Sequence, residues 1–111
     1  MHKLINIAGT DYPVSFGLFA LKSFEDATGI GSGDLVNSIS KKPISVSLDL
    51  FYFAFKDGFR KAKKEFTLTQ ADIADLVDQD REAMDKLFAF FGDSQPAAKE
   101  EDNNKSETEK K

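Results

Sequence analysis

The chain has 111 residues, 41% hydrophobic and 31% charged, enough for one ordinary globular core and little more. It contains no cysteine, which excludes disulfide staples, thiolate metal ligands and cysteine nucleophiles and suits a reducing cytoplasm. A net charge of -4 opposes non-specific nucleic-acid binding, which depends on Lys and Arg neutralising phosphates.

Met1-His2-Lys3 leads straight into an alternating segment instead of a long apolar run, so no secretory signal is expected. Residues 3–16 read as a β-hairpin. Ile5 and Ile7 alternate with polar or small neighbours, and then Tyr12, Val14 and Phe16 alternate with Pro13 and Ser15. A two-residue Gly9-Thr10 loop would oppose Ile7 to Tyr12 and Ile5 to Val14, placing these five large residues on one face. Pro13 marks an edge strand. Such a ribbon is marginal alone and must pack on the helices that follow.

From Gly17 to Thr28 the spacing becomes helical, with Ala20, Leu21, Phe24, Ala27 and Thr28 on one stripe and Gly29 as the stop. Residues 29–34 superficially look like a phosphate-binding loop. A helix rather than a strand precedes them, however, and no Lys-Ser/Thr pair follows, so they read as loop and capping residues. Asp34 or Ser32 would cap a short helix to about Ile39, ended by Lys41-Lys42-Pro43.

The next helix, capped by Ser45 or Ser47 and running to about Lys64, is the most informative. Leu48, Phe51, Tyr52, Phe55, Phe59 and Ala62 share one stripe and are expected to form its core face. Leu50 and Phe53 lie well away from it and must be covered by another helix of the domain or by a partner. The apolar stretch from Leu48 to Phe59 is broken by Asp49, Lys56 and Asp57 and is too short to cross a bilayer. Lys56, Arg60, Lys61, Lys63 and Lys64 are interrupted by Asp57 and Glu65 and read as a solvated helix end facing the carbonyl dipole.

Thr69 opens another helix, with Asp72 at the third position completing a capping box and Ile73, Leu76 and Val77 as the apolar face. Asp78 to Asp80 breaks it. A last helix follows with Ala83, Met84, Leu87, Phe88 and Phe91 on its stripe and Phe90 off it. The expected fold class is mainly α with an N-terminal β-hairpin (α+β), a small bundle of about four to five helices over residues 1–92. Residues 93–111 contain no large apolar side chain and are expected to form a disordered charged tail.

No catalytic constellation emerges. Asp72, Asp75 and Asp78 fall on one helix face and read as solvated. Asp78, Asp80 and Glu82 imitate calcium-loop spacing without the glycine at the sixth position or the glutamate at the twelfth. His2 lies at the terminus, where a base lacks a rigid shell, and no serine elbow is present. Arg81 and Lys86 are too few for a DNA recognition helix. The expectation is a non-enzyme with no metal or cofactor that acts by binding another protein.

The order of elements resembles the tail assembly chaperones of long-tailed bacteriophages, in the short form encoded just before the tape-measure protein. Over residues 3–91 the resemblance is carried by three stretches. The first is Tyr12-Pro13-Val14-Ser15-Phe16-Gly17 with Ala20-Leu21, Phe24-Glu25 and Thr28-Gly29. The second is the aromatic helix ending Phe55-Lys56-Asp57-Gly58, and the third is Leu68-Thr69-Gln70-Ala71-Asp72-Ile73-Ala74-Asp75-Leu76-Val77-Asp78. The Lys61, Lys63 and Lys64 cluster departs from the family, whose connection there is often shorter and less basic.

The resemblance implies a chaperone that coats the aggregation-prone tape-measure protein in the host cytoplasm until tail-tube subunits assemble, and that is absent from the mature virion. In many relatives a programmed frameshift near the end of the frame adds a domain that recruits the tail-tube protein, and Lys110-Lys111 is compatible with an A-rich slippery codon pair. Leu50, Phe53 and Phe90 are the expected partner-binding residues, on a face that grips amphipathic helices. The competing readings are a small regulatory adaptor, a DNA-directed helical protein and a self-associating structural component. The expected partners include neither nucleic acid nor membrane.

Overall fold

The computed structural model describes residues 2–94, and of Ser32 the backbone alone. Of the tail expected to be disordered over 93–111, residues 95–111 fall outside those residues, and Asp93 is helical. Two antiparallel strands, β1 (Lys3–Ile7) and β2 (Thr10–Val14), open the chain. Their register pairs Lys3 with Val14, Ile5 with Tyr12 and Ile7 with Thr10, so the turn is Ala8-Gly9 and not Gly9-Thr10. Both turn residues have positive φ, 53° and 89°, the geometry that matches the right-handed twist of the flanking strands. The pairing slips by two residues from the expected one, and because side chains alternate with period two the apolar face survives the slip. Ile5, Ile7 and Val14 are buried on it, and the Tyr12 ring lies 5.7 Å from that of Phe55.

Helix α1 (Leu18–Thr28) stops where Gly29 takes φ 75° and donates its N–H to the Glu25 carbonyl at 2.8 Å. A 3-10 turn over Ser32–Asp34 leads into α2 (Leu35–Lys41), which buries Leu35. The central helix α3 (Pro43–Lys61) begins earlier than expected, at Pro43 and not behind a Ser45 or Ser47 cap. Proline is at home there because the N–H it lacks would have no helical partner. The helix also ends earlier than Lys64. Lys63 adopts φ 60°, and Lys64 donates its N–H to the Phe59 carbonyl at 2.9 Å. In α4 (Gln70–Gln79) the capping box is reciprocal, with the Asp72 N–H donating to Thr69 Oγ1 at 3.1 Å and the Thr69 N–H donating to Asp72 Oδ2 at 2.9 Å. Helix α5 (Ala83–Asp93) runs one residue past the Gly92 stop, and Ser94 Oγ donates to the Phe90 carbonyl.

Helix α3 is the axis of the domain, touching β2, α1, α2 and α4. Neighbours on so many sides bury Val46, Ser47, Leu50, Phe51, Ala54, Phe55, Asp57 and Gly58. At about 100° per residue this arc is centred roughly a quarter turn from the stripe of large apolar residues. Leu50 is therefore not an off-stripe surface residue. It is 0% exposed, inside the core with Phe51, Ala54 and Phe55. Among the described residues no helix is long and apolar enough to cross a membrane.

Candidate partner-binding groove

An apolar groove of about 290 Å³ lies where the N-terminal half of α3 faces α4 and the start of α5. Ile44, Ser47, Leu48 and Phe51 line it from α3, Ala74, Val77 and Asp78 from α4, and Met84 from α5. Ile44 is 62% exposed and Asp78 is also exposed, whereas Phe51 is fully buried behind them. Methionine at such a place is an adaptable wall, since its unbranched thioether repacks against different shapes. The only polar side chains in the lining are Ser47 and Asp78. Ser47 is 1% exposed and its hydroxyl has no hydrogen-bond partner among the described residues.

An orphaned buried hydroxyl costs about 1–3 kcal/mol, so Ser47 sits there at the expense of stability. Ser47→Ala is expected to raise the unfolding free energy by about 1 kcal/mol, seen as a higher urea midpoint at unchanged slope. A lower midpoint would show that the hydroxyl is satisfied in the folded protein.

The three residues expected to bind a partner do not come together. Leu50 is core. Phe53 lies about 160° around α3 from Phe51 and is half-buried, its ring 5.1 Å from that of Tyr52. Phe90 is half-buried at the far end of α5, its ring 5.6 Å from Phe16 and 5.5 Å from the Lys3 ammonium. The groove instead uses Leu48 and Phe51, which periodicity assigns to the core face. Its usable signal in the sequence was the excess of apolar residues on α3 over what one stripe holds.

A second constellation resembles catalytic machinery and is better explained as a clamp. Ser15 Oγ donates to Asp57 Oδ2 at 2.8 Å and accepts from Lys61 Nζ at 2.9 Å and the Gly17 N–H at 3.2 Å. Arg60 Nε and Nη2 donate to Asp57 Oδ1 at 2.9 and 2.6 Å, and the guanidinium lies over the Phe19 ring at 4.7 Å. A serine beside a lysine is a known nucleophile arrangement. Here the hydroxyl is fully buried and already has a donor role and two acceptor roles, which leaves no room for a substrate. The cluster ties the end of β2 to α3, and it also engages two of the five cations in the basic run.

A third cluster explains the Asp78-to-Asp80 break. Asp80 Oδ2 accepts the Ala8 N–H at 3.1 Å, and Oδ1 accepts the Glu82 N–H at 2.9 Å. Lys86 Nζ bridges Asp80 Oδ2 at 3.4 Å and the Asn6 carbonyl at 2.9 Å. Asp80 thus fastens the hairpin turn to the α4–α5 junction and holds Ala8 in a conformation that costs an L-residue about 1–2 kcal/mol. The alternating acids 78, 80 and 82 contain a structural tether that spacing alone presented as a failed calcium loop.

Compared with known proteins, the chain matches no family model, no curated protein and no solved structure.

Proposed function

We propose that this protein is a tail assembly chaperone that binds the phage tape-measure protein, keeps that long chain soluble in the host cytoplasm and assists tail-tube assembly around it. The observation that carries a binding role is the apolar groove between α3, α4 and α5, with an unpaired hydroxyl inside it and an exposed carboxylate in its lining. A groove walled by helices is a suitable receptor for the apolar face of another helix, and tape-measure proteins are long helical chains. The partner's identity comes from the resemblance in Tyr12–Gly17, in Phe55–Gly58 and in the capped acidic helix opened by Thr69. The resulting role is reversible holding, which needs apolar contact without deep enclosure.

Co-expression tests it. With this chain present, the tape-measure protein encoded downstream of it should move from the pellet to the soluble fraction and co-purify in a complex that survives size-exclusion chromatography. A tape-measure protein that stays insoluble and uncaptured would remove the proposal.

A further inference from the structure

We infer that the groove between α3, α4 and α5 selects a partner helix whose apolar ridge is flanked by lysine or arginine, and that Asp78 supplies the selection. This inference rests on the partner-binding reading above and adds the chemistry of the segment bound. Three features meet at the groove. Its walls are apolar, from Ile44, Leu48, Phe51, Ala74, Val77 and Met84, so the occupant must supply an apolar ridge. Its volume of about 290 Å³ sits at the lower bound of roughly 300–1,000 Å³ typical of small-molecule pockets, which suits anchoring side chains better than a whole enclosed ligand. Repeating anchors at i, i+3 or i+4 and i+7 are how a helix fills such a trough.

Charge fixes the flanks. Asp78 is the one charged residue in the lining, and among the described residues no hydrogen bond or ion pair engages its carboxylate. Helix α4 has no basic residue along its length, and its Asp72 and Asp75 lie outside the groove, beside Thr67 and Leu68. Lys41 and Lys42 precede Ile44 in the chain but do not line the groove. A cation on the incoming helix therefore meets an unpaired acid, whereas an anion meets like charge at Asp78.

The chain's own segment 95–111 does not fit this description, because it has lysines but no large apolar side chain. A second copy is the competing occupant, since α1 exposes Leu18 at 87% beside Lys22.

The test uses the full chain and three synthetic helical peptides sharing one leucine ridge, flanked by Lys, Gln or Glu, read by fluorescence anisotropy. The Lys peptide should bind about tenfold tighter than the Glu peptide, with Gln between them. Asp78→Lys should erase or invert that order, and Ile44→Glu should weaken all three about tenfold while the far-ultraviolet circular dichroism is unchanged. Equal affinity for the three peptides, no saturable binding of any, or indifference to both substitutions overturns the inference. So does a concentration-dependent oligomer that Ile44→Glu dissolves, which would assign the groove to a second copy. The two readings fail separately. Tape-measure capture that persists in Ile44→Glu removes this groove and keeps the chaperone, whereas ordered peptide binding without tape-measure capture does the reverse.

Discussion

Gly58→Ala is expected to destabilise the fold by about 3 kcal/mol, the upper end of ordinary overpacking, and to lower the urea midpoint accordingly. In an open helix the same change would stabilise by about 0.5–1 kcal/mol, because alanine restricts the unfolded chain. The sign reverses here because of what lies beside the α-carbon. A methyl group at Gly58 would fall 2.5 Å from the Val14 backbone nitrogen and closer still to the Pro13 carbonyl. Both are main-chain atoms, so no side chain can swing aside. The strand cannot back away cheaply either, since the Ser15 N–H donates to the Ala54 carbonyl at 3.0 Å one turn earlier on α3. Gly92→Ala on α5 is the matched control. It meets nothing within 4 Å and should be neutral or mildly stabilising. A Gly58→Ala protein as stable as wild type would mean that β2 does not press on α3 at this point.

That close approach also explains which parts of the fold were legible. The hairpin's alternating face, the Gly29 stop and the Thr69–Asp72 box are local signals whose physics lies within a few neighbouring residues. The Ala8-Gly9 turn was missed because alanine is a poor advertisement for positive φ, and the partner that holds it, Asp80, is 72 residues away. The inner face of α3 was missed for a related reason. Ser47, Ala54 and Gly58 carry little hydrophobic weight and are nonetheless buried, and at Ala54 and Gly58 the neighbouring backbone comes in close where side chains are short. Large residues drew the stripe toward Tyr52 and Phe59, while the packed face centred on the small ones. Leu50 looked spare only against the wrong stripe. The groove inherits the same shift, since two of its four α3 residues, Leu48 and Phe51, are ones periodicity had assigned to the core.

Asp57 was harder still to read, since an acid on a charged helix end looks solvated, and its substitution has the second large expected effect. Asp57→Asn is expected to destabilise by about 2–3 kcal/mol at neutral pH. The carboxylate is 1% exposed and accepts hydrogen bonds from Ser15 and, twice, from Arg60, with Lys61 Nζ 3.4 Å away. An asparagine amide would set a donor against one of these donors. Arg60 is 54% exposed and can turn to water, which keeps the loss below that of a fully enclosed pair.

The same residue sets an acid limit. Burial pushes the Asp57 carboxyl up, but hydrogen bonds from Arg60 and Ser15 and the charges of Lys61 and Arg60 together outweigh it and hold the group below the ordinary carboxylate range. A carboxyl depressed by folding stabilises fully above its unfolded value, about 3.9, and that stabilisation is lost as pH falls through the folded value. Urea unfolding as a function of pH should therefore show a constant gap between wild type and Asp57→Asn from neutral pH down to about 5, closing at more acid pH. The variant should keep a residual acid slope from Asp80, which the Ala8 and Glu82 N–H groups hold below its usual range. A gap that stays open in strong acid would show that Asp57 acts through its shape alone and not through the charge Arg60 and Lys61 meet.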